Sequence, residues 1–414
     1  PHPGPRPQWA IDDVLIGGVE INPSNFQQNF DMDLPQGDDG SVWEFHPHGS
    51  VVGDICAREE SALAWKEEEG EQGVKNGQRS FTTTQLIVQP GYMLQFKLVV
   101  GCSQYYNICQ PLAPVHLEFN KNPMTDRWDL VQPLCLPDNN NKHAECRPHI
   151  HHDASVYGVS HHPTWTRVTV DLSDKTHSSS TRFRWQQEGE PGAILPSWAI
   201  DDIYVGEKCP DMCNGRGDCE YGTCRCDKGY YGLSCIPQRT RLLKRMFESF
   251  EGGIFSAHWH AVSGGGIGFG CGALLPYAHG KTLYFNGCGV RQAVTVEMDT
   301  SYALKVIFVL QVGCRAQTDE CNVRLGEGPD YRGILLQYSR NKGAEWHLLA
   351  RHDPQDFLRP QRVAYDLPQE AKGVGVQLRW WQPVHDGAGH DQWAIDHIEI
   401  ISGYRRYGSR RHRG

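Results

Sequence analysis

The sequence predicts a mainly β protein, with two antiparallel, jelly-roll-like β-sandwich subrepeats joined by a small disulfide-rich module. The phrase Trp9-Ala10-Ile11-Asp12-Asp13 returns as Trp198-Ala199-Ile200-Asp201-Asp202 and again as Trp393-Ala394-Ile395-Asp396-His397. Six of the fifteen cysteines crowd between Cys209 and Cys235. Short apolar or alternating runs, such as Arg167 to Leu172 and Ile334 to Tyr338, are separated by Gly, Pro, Asn and Asp turn signals, and long amphipathic helical periods are lacking. Many short strands with two-faced alternation indicate a sandwich.

At 414 residues the chain exceeds one ordinary domain and can bury two cores. Its cysteine density requires an oxidising compartment, so the chain is expected to be secreted, to the extracellular space and matrix. It opens Pro1-His2-Pro3, without a charged and then apolar leader, and no apolar run approaches the length of a membrane span. It therefore reads as a mature fragment. The net charge of −9 conceals a basic end, Arg405, Arg406, Arg410, Arg411 and Arg413. An acidic body in an extracellular setting disfavours nucleic acid as a partner.

The repeats set the boundaries. Arg182-Phe183-Arg184-Trp185-Gln186 matches Gln377-Leu378-Arg379-Trp380-Trp381-Gln382, each ahead of a Trp-Ala-Ile-Asp phrase. Phe96, Leu98, Val100, Gly101 and Cys102 correspond to Phe308, Leu310, Val312, Gly313 and Cys314, and Trp43 to Trp259. Residues 1–19 read as the terminal strand of a preceding repeat, 20–206 as subrepeat A, 207–237 as the cysteine-rich module, 238–402 as subrepeat B and 403–414 as a basic tail. Period-two alternation places the repeated Trp and Ile on one face, as core anchors.

The insert cysteines follow C-x3-C-x5-C-x4-C-x-C-x8-C, with Gly229-Tyr230-Tyr231-Gly232 before the last. Spacing alone permits fifteen pairings. The pattern resembles EGF-like modules, and that resemblance implies Cys209 with Cys219, Cys213 with Cys224, and Cys226 with Cys235. So small a module depends on its bridges for stability. Val205-Gly206-Glu207-Lys208 stands where calcium-binding EGF modules carry an acidic motif, so a spacer role is expected. Outside the insert, short loops pair Cys102 with Cys109, Cys135 with Cys146, Cys314 with Cys321 and Cys271 with Cys288. This leaves Cys56 unpaired.

Two sandwich halves around an EGF-like module, each closing on Arg-Trp and then Trp-Ala-Ile-Asp, resemble the reelin-repeat family. Gly17-Gly18-Val19-Glu20-Ile21-Asn22-Pro23-Ser24, Pro90-Gly91-Tyr92-Met93, Pro276-Tyr277-Ala278-His279-Gly280 and Gly389-His390-Asp391-Gln392-Trp393 are similar to its eighth and last repeat, with the end of the seventh at residues 1–19 and a short basic C-terminal region. The resemblance implies a non-catalytic signalling and matrix glycoprotein segment acting in neuronal migration and cell adhesion. Its implied partners are cell-surface receptors or co-receptors and neighbouring repeats; the family's main lipoprotein-receptor site lies in an earlier repeat, outside this chain. The family's Asp-box turn survives as Ser339, Asn341, Gly343 and Trp346, with Asn in the Asp slot, and has decayed between Asn120 and Trp128.

Candidate ligands follow from residue type. Asp12, Asp201 and Asp396 recur at the end of an apolar strand, where a carboxylate needs calcium or backbone N–H groups. His149, His151 and Asp153 would share one strand face and could hold zinc. No His-Glu-x-x-His, Gly-x-Ser-x-Gly or Gly-Asp-Ser-Gly-Gly string is present, so the serine protease activity ascribed to the family has no visible motif. The rival function is a carbohydrate-binding or hydrolytic unit. A glycan platform would need exposed aromatics among Trp43, Trp259, Trp346 and Trp381. The arginine tail is suited to sulfated glycans or an acidic co-receptor. No Asn-x-Ser/Thr acceptor occurs, because Pro23 follows Asn22.

Overall fold

The structure, a computed structural model, describes residues 26–28, 43–45, 50–53, 56, 61–65, 79–101, 109, 112–122, 124–132, 155–159, 162, 164–189, 193–269, 280–313 and 331–403. The chain divides into two compact units, Pro1–Cys235 and Ile236–Gly414.

In the first unit one antiparallel sheet runs in the order Thr166–Asp171, Tyr92–Val100, Trp198–Glu207, Ala62–Trp65, Ser50–Val52, with Phe26–Gln28 also on Trp198–Glu207. The facing sheet runs Val156–Tyr157, Val115–Asn120, Ser178–Gln187, Arg79–Thr83, Trp43–Phe45. The second unit repeats the plan. One sheet is Gln361–Asp366, Ala303–Val312, Trp393–Ser402, Thr282–Phe285, Gly265–Gly268, and the other is His347–His352, Ile334–Ser339, Val374–Gln382, Arg291–Thr295, Trp259–Ser263.

Alternation fills both cores. Leu94, Phe96, Leu98 and Val100 point inward from one strand of the first unit, and Val306, Phe308, Leu310 and Val312 from its counterpart in the second. The repeated tryptophans sit at matching places. The Phe96 ring meets Trp185 edge-on at 5.3 Å, and Phe308 meets Trp380 at 5.5 Å. Trp43 to Trp185 and Trp259 to Trp380 are both 6.0 Å. Such pairs add about 0.5–1.5 kcal/mol each beyond their burial.

The glutamine two positions after the core tryptophan, Gln187 after Trp185 and Gln382 after Trp380, has a structural task. Gln187 Nε2 donates to the Ala113 and Pro196 carbonyls at 3.0 and 3.1 Å, and its Oε1 accepts from Arg79 at 3.3 Å. Gln382 Nε2 donates to the Arg332 and Asp391 carbonyls, both at 3.1 Å, and its Oε1 accepts from Arg291 at 3.1 Å. Arg291, fully buried, also donates to the carbonyls of Gly287, Gly387, His390 and Asp391. Each knot ties down the loop feeding the Trp-Ala-Ile strand.

In the insert, Gly217–Glu220 pairs with Thr223–Cys226 in a hairpin. Three bridges join Cys209 to Cys219, Cys213 to Cys224 and Cys226 to Cys235. Asp211, Met212, Cys213 and Asn214 form a left-handed turn with φ of 49, 50, 53 and 50°. Such φ values cost L-residues about 1–2 kcal/mol each, so the flanking bridges must hold the turn.

One cysteine expectation is corrected. Cys56 is not left over; it is disulfide-bonded, as are Cys109 and Cys288. Pairing by short loops follows sequence proximity, whereas a bridge needs Cα atoms about 4.4–6.8 Å apart in space. The proposed partners Cys102 and Cys271, and Cys135, Cys146, Cys314 and Cys321, lie outside the described residues.

Candidate functional site

The repeated acid sits at a kink. After Asp201 and after Asp396 the closing strand slips register, and the next residue, Asp202 or His397, takes a φ of 47°. Oδ1 of each buried acid accepts the N–H of that next residue at 2.7 Å. The recurring carboxylate thus caps its own bulge. Burial raises the Asp396 carboxyl above the usual range, against the opposing pull of the His397 N–H, and its Oδ2 lies 2.9 Å from His397 Nδ1.

Beside Asp396 stands the His397 imidazole, whereas beside Asp201 stands a second carboxylate, Asp202, which pairs with Lys97. Among the described residues, the single cluster with metal-ligand proximity is Cys209, Cys213 and Cys224, all engaged in disulfides. Asp12, the zinc candidates His149, His151 and Asp153, and the tail residues Arg405, Arg406, Arg410, Arg411 and Arg413 lie outside the described residues.

The residue following the acid differs because the two units use the same sheet face differently. In the first unit the insert packs on the outward side of the strands Tyr92–Val100 and Thr166–Asp171. Met93 and Tyr204 cluster with Cys209, Met212, Cys213, Cys219 and Cys235. Buried Gln95 accepts the Cys219 N–H at 2.8 Å and donates to the Gly217 carbonyl at 3.3 Å. A Cβ on Gly217 would stand 2.6 Å from the Arg225 carbonyl oxygen, so only glycine fits there. Arg167 forks onto Asp227 at 2.8 and 2.9 Å and reaches Asp218 at 2.8 Å. Lys97 pairs with Asp202 and stands 3.9 Å from Asp218.

The strand registers align Gln95 with Ile307, Lys97 with Val309, Tyr204 with Glu399 and Arg167 with Arg362. In the second unit Arg362 pairs instead with Glu399 at 3.4 Å, and Phe247 is exposed on the neighbouring strand. The insert is thus part of the first unit's surface and not a free spacer. The signal lay in the outward positions, which differ between the halves where the inward ones match.

The facing sheets carry a second shared feature. Ser339 Oγ accepts the Gly343 N–H at 2.9 Å, and Asn341 Oδ1 accepts the Glu345 N–H at 2.9 Å. Asn341 Nδ2 donates to Glu345 Oε2 at 2.9 Å, which explains an amide in the acid slot. Trp346 covers the Arg379 guanidinium at 4.3 Å, and Trp381 lies 4.6 Å from it. In the first unit Trp128 lies 4.1 Å from Arg184, which pairs with Glu118 at 2.8 Å. Of the four tryptophans weighed for a glycan platform, Trp43, Trp259 and Trp381 are buried, and Trp346 is half-buried against Arg379.

Comparison with known proteins places these features. Residues 49–206 and 264–401, together more than half the chain, match reelin subrepeat B, and residues 209–236 match the teneurin-like EGF domain. Among solved structures the chain is similar to the K1 cleaved adhesin domain of Lys-gingipain from Porphyromonas gingivalis W83, at 10% identity over 44% of this chain and 98% of that one, with a TM-score of 0.27. The tandem CBM51 modules of the family 98 glycoside hydrolase from Streptococcus pneumoniae SP3-BS71 give 9% identity over 83% and 84%, with a TM-score of 0.23. TmCBM61 in complex with β-1,4-galactotriose gives 15% over 40% and 89%, also 0.23. None of these structural likenesses carries the assignment. The matched family does: the chain belongs to the reelin subrepeat B family, as two such units around an EGF-like domain.

Proposed function

We propose that this chain is a non-catalytic, secreted binding segment that acts through protein contacts with cell-surface receptors or co-receptors and with neighbouring repeats. The observation that supports this is the pattern of difference between the units. Their cores share the pairs Phe96 and Phe308, Trp185 and Trp380, and Trp198 and Trp393, whereas the outer sheet face around Gln95, Lys97 and Arg167 in one, and Ile307, Val309 and Arg362 in the other, has been rewritten. A scaffold kept constant under changing surfaces is suited to recognition. The finer reading, the last repeat of reelin serving neuronal migration, rests on the phrases quoted from the sequence. Calcium at Asp12, Asp201 and Asp396 and zinc at His149, His151 and Asp153 belong to the same reading.

A co-receptor pull-down with and without residues 403–414 tests it. Capture that survives removal of the arginine tail assigns the contact to the sandwiches, and capture lost with the tail assigns it there. No capture by either form refutes the reading. The carbohydrate-binding rival would need a free aromatic platform, and burial of Trp43, Trp259 and Trp381 weighs against it.

A further inference from the structure

The segment entering the second unit reads Arg239-Thr240-Arg241-Leu242-Leu243-Lys244-Arg245, four cations in seven positions. Its backbone is fixed. The Arg241 N–H bonds the Gln238 carbonyl at 3.0 Å and the Leu242 N–H bonds the Arg239 carbonyl at 3.3 Å, closing a turn. Leu243 then bridges Met298, and its carbonyl accepts the Asp299 N–H at 2.8 Å. Arg239 is anchored on the buried Asp299 carboxylate at 2.7 Å and lies 5.7 Å over the exposed Tyr302 ring. Lys244 is half-buried. Arg241 and Arg245 are exposed and have no carboxylate partner among the described residues. Exposed Arg340 stands at the same end of the unit, 3.5 Å from where a Cβ of Gly373 would lie, and the Gly373 carbonyl bonds the Thr300 N–H at 2.8 Å.

We propose that residues 239–245 form a binding rail for a linear sulfated polysaccharide. Guanidinium groups pair with tetrahedral oxyanions through parallel N–H bonds. Because the segment is held by its own turn, its bridge and Arg239, little ordering cost opposes binding. In a chain of net charge −9 the exposed Arg241 and Arg245 stand out. The inference rests on the extracellular reading of the chain and is separate from the protein contact proposed above.

The test is salt elution of the full chain from immobilised heparin. Arg241→Ala with Arg245→Ala should elute at lower salt with an unchanged unfolding midpoint, and the slope of log affinity against log salt should fall by about two, one counterion per cation removed. A variant with the five tail arginines replaced by alanine should still show that drop when the two rail substitutions are added. Equal elution and slope for the rail variant overturns the proposal. So does equal, rail-dependent binding to phosphatidylserine vesicles, which would make the rail a membrane contact. Loss of co-receptor capture with heparin binding intact would fail only the protein-contact reading.

Discussion

Arg167→Leu should release the insert from the first sandwich. The guanidinium makes three charge-assisted hydrogen bonds to Asp218 and Asp227, with 13% of its side chain exposed against 21% and 34% for its partners. Removing one partner of a fully buried pair costs about 3–5 kcal/mol, and partial exposure lowers that figure. Lys97 and Arg225, each 3.9 Å from Asp218, compensate in part. The expected loss is about 2–3 kcal/mol. Because three disulfides hold the insert together, the loss should appear as undocking while the module itself stays folded. Amide exchange reads this directly, since the Cys219 N–H is bonded to Gln95 and the Cys209 N–H to Met93 Sδ. Exchange at both should accelerate by about 30-fold to 160-fold. Arg225→Leu, 72% exposed, should change it little. Unchanged exchange in Arg167→Leu would refute the docking argument.

Three other outcomes are expected. His352 is fully buried, its Nδ1 donating to the Ile334 carbonyl and its Nε2 accepting from Tyr365, and burial pushes its imidazole down to about 4. Its folded value lies below the unfolded one near 6.5, so the stability it lends is complete above pH 6.5 and is lost as pH falls towards 4, about 3 kcal/mol in all; His352→Phe should flatten that stretch of the stability–pH curve. Asn341→Asp should cost about 1 kcal/mol at neutral pH, because the donor to Glu345 becomes a like charge, and less in acid, as chemical denaturation at the two pH values would show. Arg291→Met should lower second-unit stability by about 3 kcal/mol or more in the same assay, since the carbonyls of Gly287, Gly387, His390 and Asp391 lose their donor.

The fold was legible wherever residues repeat at short range. Trp185 and Trp380, Phe96 and Phe308, and the insert cysteines sit in phrases whose spacing reports strand alternation or a disulfide framework. The docking of the insert was not legible. Its contacts join Met93, Gln95 and Lys97 to residues up to 124 positions later, and each side chain alone is an ordinary outward strand residue. The clue was comparative: Gln95 and Lys97 become Ile307 and Val309 while the intervening Phe96 and Phe308 stay the same. The repeated acid was legible as a buried carboxylate, but its role in capping the bulge depends on the left-handed turn at Asp202 and His397, which no periodicity encodes. Cys56 was misjudged because loop length is a poor guide to distance in space.

The measurement closest to the central proposal is binding of the folded chain to cells whose surface proteins have been stripped by protease, beside cells treated only with heparinase. Recognition through protein contacts predicts binding that is lost after protease and persists, though weakened, after heparinase. Binding that survives protease treatment would contradict it.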